Sequence, residues 1–286
     1  MTPDDALTAY VRRHAATALE HLVCFEGAAD ADLAAVMTVE AVHEVRTSLR
    51  RLRAAQLLLA PQVPLPVTVE GDLRFTARAL SAVRDTDVLA ETLLAEAEDL
   101  PAEPVRAAAR EELSAALAAR REDGVAQVRR SRSDPRWQRT LDLLRAWRER
   151  PPAEAVGRPL HVLAVARREV LGRLRSAGGD PAALHSARKA AKRWRYASEL
   201  LLPAEPGAVS HFEAATMIHV RLGALQDAVV AEGFLHELAG NGDSARRGSA
   251  ADLLLEHARR RLDGELAGAA ELLRDLPRTG TGDESR

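Results

Sequence analysis

Apolar residues recur at helical spacing through most of the 286-residue chain, and Pro or Gly interrupts them at intervals. The pattern predicts helices over about 4–26, 38–60, 69–98, 104–131 and 135–149, then over 158–176, 181–202, 208–239 and 244–275. Breaks fall at Pro61, Pro64 and Pro66, at Pro101 and Pro104, at Pro151 and Pro152, at Gly178, Gly179 and Pro181, at Pro203 and Pro206, and at Gly240 and Gly242. The stretch from Pro151 to Gly157 divides the chain near its middle, so 4–150 and 151–276 read as two helical-bundle halves. Half one carries an additional stretch, AADADLAAVM (28–37), and 277–286 has the composition of a disordered tail.

One phrase occurs twice. HEVRTSLRRLRAAQLLLAP (43–61) and HSARKAAKRWRYASELLLP (185–203) lie 142 positions apart without a gap, with His, basic positions, a leucine run and a closing Pro in register. The offset persists beyond the prolines, where LSAVRDTDV (80–88) falls on LGALQDAVV (222–230) and Asp85 on Asp227. A repeat that survives a connecting loop implies two related copies of one folded unit.

On a helix turning about 100° per residue from His43, Arg46, Arg50 and Arg53 fall at about 300°, 340° and 280°, beside an apolar stripe of Val42, Val45, Leu49, Leu52 and Leu59. His185, Arg188, Lys192 and Arg195 take the same angles in the second phrase, and Thr47 and Arg51, like Lys189 and Arg193, lie on the other shoulder. Packing can restrain the stems of such residues while their heads face solvent or ligand. Stacked cations repel one another by a few tenths of a kcal/mol per pair. Two sources of relief stay open: carboxylates of the next helix, Asp85, Asp87 and Asp227, or an external polyanion. The stripe runs about 15 Å, long for one phosphate and suited to a chain of them. The two stripes are expected on a common surface. Arg129, Arg130, Arg132, Arg136 and Arg139 form a further basic cluster that either extends that surface or is solvated.

Composition changes the picture little. Ala, Leu, Arg and Glu dominate and aromatic residues make up 3%, which reads as all-α. A formal net charge of −2 neither demands nor forbids a polyanion partner, because the two signs can occupy different faces. Cys24, the single cysteine, excludes an intrachain disulfide and a thiolate metal cluster, and suits a reducing cytoplasm. No secretory segment or run of about 18 apolar residues is visible, so a cytoplasmic location without a membrane span is expected.

A His-x-x-Arg-x-x-x-[Arg/Lys]-Arg-x-Arg helix occurring twice in an all-helical chain resembles the CHAD family, the conserved histidine α-helical domain. The resemblance rests on HEVRTSLRRLR (43–53) with AVRDTDVL (82–89), and on HSARKAAKRWRYASELL (185–201) with LGALQD (222–227). It implies two four-helix bundles related by a pseudo-twofold, and a basic surface on the repeated helices that binds inorganic polyphosphate, in some members at polyphosphate granules. The implied ligand-facing set is His43, Arg46, Arg50, Arg51 and Arg53, with His185, Arg188, Lys189, Lys192, Arg193 and Arg195. Thr47 departs from the pattern that has Lys189, and Gln226 stands where the first phrase has Arg84. Family members are often fused to a triphosphate-tunnel (CYTH) domain with a Glu-x-Glu-x-Lys signature. Its nearest match here, EAEDL (96–100), lacks the lysine and lies in a helical pattern, so a stand-alone domain is expected.

Non-catalytic polyphosphate binding is therefore the leading reading, with no cofactor and no metal. A phosphohydrolase or phosphotransferase using His43 or His185 is the alternative, but neither a GxxxxGK[ST] loop nor a convincing metal-carboxylate cluster is present. Nucleic-acid binding by the same stripes is a third reading. Against it, Trp194 and Tyr196 are the only aromatics of the repeated helices, too few for stacking platforms, and no groove-reading module is recognisable.

Overall fold

A computed structural model describes residues 1–63, 65–241 and 250–275. Pro64, Gly242, the predicted helix start at 244 and the 277–286 tail lie outside the described residues. Among these residues the chain is all-α, in the order α1 (Pro3–Gly27), α2 (Leu33–Val36), α3 (Val39–Ala55), a 3-10 turn (Gln56–Leu58), α4 (Val69–Ala79), α5 (Ser81–Glu98), α6 (Glu103–Arg132), α7 (Pro135–Glu149), α8 (Pro159–Ala177), α9 (Pro181–Leu201), α10 (Ala208–Asn241) and α11 (Ala250–Asp275).

Caps set most of these boundaries. Thr2 and Asp5 form a reciprocal capping box at α1, and the Thr38 hydroxyl accepts from the Ala41 amide at α3. Asp134 and Asp180 cap α7 and α9, each followed by Pro at the first helical position. Gly178, at φ 54°, ends α8 in the left-handed conformation that glycine adopts without steric cost.

Two predicted elements differ. The 69–98 helix is two helices meeting at Leu80, where side chains compete for the carbonyls of the ladder: the Ser81 hydroxyl donates to the Ala77 carbonyl at 3.2 Å and Arg46 Nη1 reaches the same oxygen at 3.4 Å. The 38–60 helix ends at Ala55 and tightens into the 3-10 turn, after which Leu59 is extended and only half-buried. There the chain pairs with the interhalf linker: the Ala60 amide donates to the Glu154 carbonyl at 3.0 Å and the Val156 amide to the Leu58 carbonyl at 2.7 Å.

α1 packs on α3 and α7, and α4 on α3 and α7, while α9 lies between α8 and α10. α3 and α9 also pack on each other, so the two helices that carry the repeated phrase are neighbours. Val42, Val45, Leu49 and Leu52 of α3 and Leu184, Ala187, Ala191, Trp194 and Leu201 of α9 are buried in one apolar cluster that runs from Ala6 to Leu272. A second cluster joins α5 and α6 to α10 and α11 through Leu93, Leu113, Leu117, Phe234, Leu235 and Leu254. Both clusters draw residues from each side of the 151–157 linker.

Candidate anion-binding site

The basic stripes of α3 and α9 face one another. Lys192 of α9 lies within the field of Arg50 and Arg46 of α3 as well as of Arg188 and Arg195 of its own helix, and His43 of α3 lies within the field of Lys192. The buried apolar rows beneath dictate this. Leu49 and Leu52 turn inward, and so do Ala191 and Trp194, which leaves the adjoining basic rows along the seam between the two helices. α10 closes the far side with His219, and the Arg188 guanidinium runs against α10 at Gly223.

Arg46 departs from the position at the core margin that the helix wheel assigned it. It is only 3% exposed, and its head is held by Asp85 of α5, at 3.2 Å, and by the Ala77 carbonyl. It anchors the α4–α5 junction and contributes its charge from below the surface. Asp87 does not meet the stripe, because it is buried against Arg121 of α6 at 2.9 Å. Asp227, the register partner of Asp85, is exposed and has no cation within ion-pair distance among the described residues.

The other sequence-predicted residues divide into two groups. Arg53 forms a fork with Glu70 at 2.6–3.1 Å, Arg51 pairs with Glu199 at 2.8 Å, and Arg193 reaches Glu169 at 3.6 Å. Lys189 is exposed on the shoulder of α9. Arg195 stacks 4.4 Å from the Tyr196 ring centroid, with Arg51 at 5.3 Å from the same centroid, and has Glu199 at 3.8 Å. In contrast, none of Arg50, Arg188 and Lys192 has a carboxylate within ion-pair distance among the described residues, and neither has Arg84 of α5, which lies outside the predicted set. Arg188 Nε, Arg195 Nε, Arg46 Nε, His185 Nδ1 and His219 Nε2 are buried nitrogens with no hydrogen-bond partner among the described residues.

This crowding acts on Lys192 and on the histidines beside it. Burial, then Arg50, Arg188, Arg195 and Arg46, push the Lys192 ammonium down to about 6. Burial, then Lys192, Arg188, Arg195 and Arg50, push His219 down to about 3. His43 is lowered by burial and by Arg84, and His185 by burial and by Lys189. Burial and Arg50 lower even Arg46, to about 10, where it remains charged at neutral pH.

Two of these residues escaped the sequence reading. His219 corresponds under the 142-residue offset to Ala77, so the repeat gives no signal for it. Arg84 stood in the quoted AVRDTDVL segment, and its position facing His43 is a consequence of how α5 packs on α3. The second basic cluster is largely internal wiring. Arg132 donates to the Phe25 and Ala28 carbonyls at 2.7 and 2.8 Å, and Arg129 to the Asp30 carbonyl at 2.9 Å, which pins the 28–37 stretch. Arg139 forks onto Asp72, and Arg136 pairs with Asp134 over the Phe75 ring.

An all-helical body with a cationic seam between two phrase-bearing helices defines the class, and the comparisons place the chain within it. The CHAD domain family model matches residues 13–236, and the chain belongs to that family. Two solved structures share the fold. The CHAD domain from the plant Ricinus communis is 23% identical with a TM-score of 0.64, covering 97% of this chain and 93% of that one. PptA from Streptomyces chartreusis is 17% identical with a TM-score of 0.68, covering 96% of this chain and 100% of that one. No curated protein matches the chain.

Proposed function

We propose that this protein binds inorganic polyphosphate along the α3–α9 seam and does not turn it over. The observation that carries this reading is the set of Arg50, Arg84, Arg188 and Lys192, basic groups drawn together by folding and left without carboxylate partners among the described residues. Self-repulsion in such a set is relieved by a polyanion that meets several of them at once. Arginine forks suit phosphate oxygens, and the row of heads along two adjacent helices suits a linear polymer better than a single phosphate. His43 and His185 flank the row as hydrogen-bonding groups. Membership in the CHAD family supports the same ligand.

The described helices include none long and apolar enough to cross a membrane, and the described residues include no group of three or more His, Cys, Asp and Glu placed to hold a metal ion. A cytoplasmic place of action, at polyphosphate granules where these occur, fits the ligand.

Binding isotherms for long-chain polyphosphate and tripolyphosphate across a salt series test the proposal. Log affinity is expected to fall steeply and linearly with log salt, and the longer polymer is expected to bind more tightly through multivalency. A single-stranded oligonucleotide should compete poorly, and incubation with polyphosphate and magnesium should release no free phosphate above the protein-free control. Affinity that is indifferent to salt and chain length would replace the polymer track with a discrete small-molecule pocket. Phosphate release abolished in His43→Ala or His185→Ala would make the protein an enzyme.

A further inference from the structure

We propose that Lys192 is a covalent acylation site for acyl phosphates, its Nζ attacking the carbonyl carbon while the neighbouring arginines hold the phosphoryl group. This rests on the reading of the seam as a phosphate-binding surface and adds a reaction to it.

The placement of the side chain carries the argument. Lys192 is partly buried, and the groups that face it are Arg188 and Arg195 from α9, Arg46, Arg50 and His43 from α3, and His219 and Asp227 from α10. Of the remaining helices packed on α9, α8 commits Glu169 to Arg173 and Arg193, and Tyr10 of α1 donates to the Tyr196 carbonyl. Asp227 of α10 is a carboxylate within the field of Lys192, and it lies beyond ion-pair distance among the described residues. The largest charge effects on Lys192 are all from cations, so the ammonium form is penalised both by desolvation and by repulsion. With its pKa near 6, Lys192 is mostly a neutral amine at physiological pH, the condition under which lysine becomes a nucleophile.

The arginines around it then select the electrophile. An acyl phosphate presents a dianionic group to Arg50 and Arg188 and an acyl carbon beside it. The Nζ lone pair forms the N–C bond, the C–O bond to the phosphoryl oxygen breaks with its electron pair, inorganic phosphate leaves, and the surplus ammonium proton passes to water. The product is a neutral amide, which removes the charge that Lys192 can gain when a polyanion binds.

The chain supplies its own control, since Lys189 and Lys192 are its two lysines and Lys189 is exposed one turn away on the same helix. Treatment with acetyl phosphate at about neutral pH, followed by peptide mass spectrometry, is expected to acetylate Lys192 at least about tenfold faster than Lys189. Polyphosphate should protect Lys192. Arg50→Gln with Arg188→Gln, verified as folded by a thermal melt, should reduce the Lys192 rate towards that of Lys189. Acetylation of Lys189 at an equal or greater rate overturns the proposal, as does a Lys192 rate unchanged in the arginine variant. A parallel isotherm on unmodified protein separates the two readings. Polyphosphate binding without Lys192 selectivity removes this inference alone, whereas selectivity without polyphosphate binding removes the polymer reading and leaves the acylation site standing.

Discussion

Arg50 and Lys192 occupy matching positions in the two phrases and meet across the seam, and neither has a carboxylate partner among the described residues. Reversing both, Arg50→Glu with Lys192→Glu, exchanges a crowded set of like charges for a mixed one. A thermal melt should show a midpoint unchanged or raised, while polyphosphate affinity falls by more than about tenfold, since each reversal turns attraction into repulsion. Arg53→Gln should lower affinity far less, because that guanidinium is already neutralised by Glu70. His43→Ala with His185→Ala should also have the smaller effect, both histidines being held below their usual range and so uncharged near neutral pH.

The pH dependence follows from the same residue. Lys192 titrates near 6 in the free protein, and a bound polyanion raises that value towards the ordinary 10.5, so binding takes up a proton between those limits. Affinity should therefore rise as pH falls from about 9 to about 6. Stability of the free protein runs the opposite way. Lys192 in its window from 10.5 to about 6, and His14 and His219 between 6.5 and about 3, bind fewer protons folded than unfolded. Melts of the free protein should accordingly weaken with acidification through both windows, and polyphosphate should offset the loss.

At the scale of elements, α5 and α6 approach each other closely at Gly124. A Cβ added at Gly124 of α6 would stand 3.0 Å from the Val83 amide nitrogen and 3.3 Å from the Ala82 carbonyl carbon, both backbone atoms of α5. Gly124→Ala must therefore push one helix from the other, and chemical denaturation should show a loss of about 1–3 kcal/mol despite the better helix propensity of alanine. Gly71→Ala in α4, where an added Cβ meets nothing within 4 Å, should instead stabilise by about 0.5–1 kcal/mol. The Leu80 break shows where pattern reading stops. Periodicity continues through 69–98 unbroken, while the local ladder is disturbed by Ser81 and by Arg46 arriving from another helix.

Across the whole molecule, the all-helical class and the CHAD signature were legible from the sequence, because a helix's apolar spacing, its caps and a phrase in register are local properties of the chain. The basic rows of 43–53 and 185–195 were legible for the same reason. Which of those cations remain available to a ligand was decided only in three dimensions. Arg46 finds Asp85 at a separation of 39 residues, Arg53 finds Glu70 at 17, and Arg51 finds Glu199 at 148. Nothing in the phrases themselves distinguishes these arginines from Arg50 or Arg188. His219 entered the seam from α10 without any repeated counterpart, and the low pKa of Lys192 arises from cations on two helices that packing brings together. Charge pairing and desolvation depend on distances in space, and helix packing sets those distances.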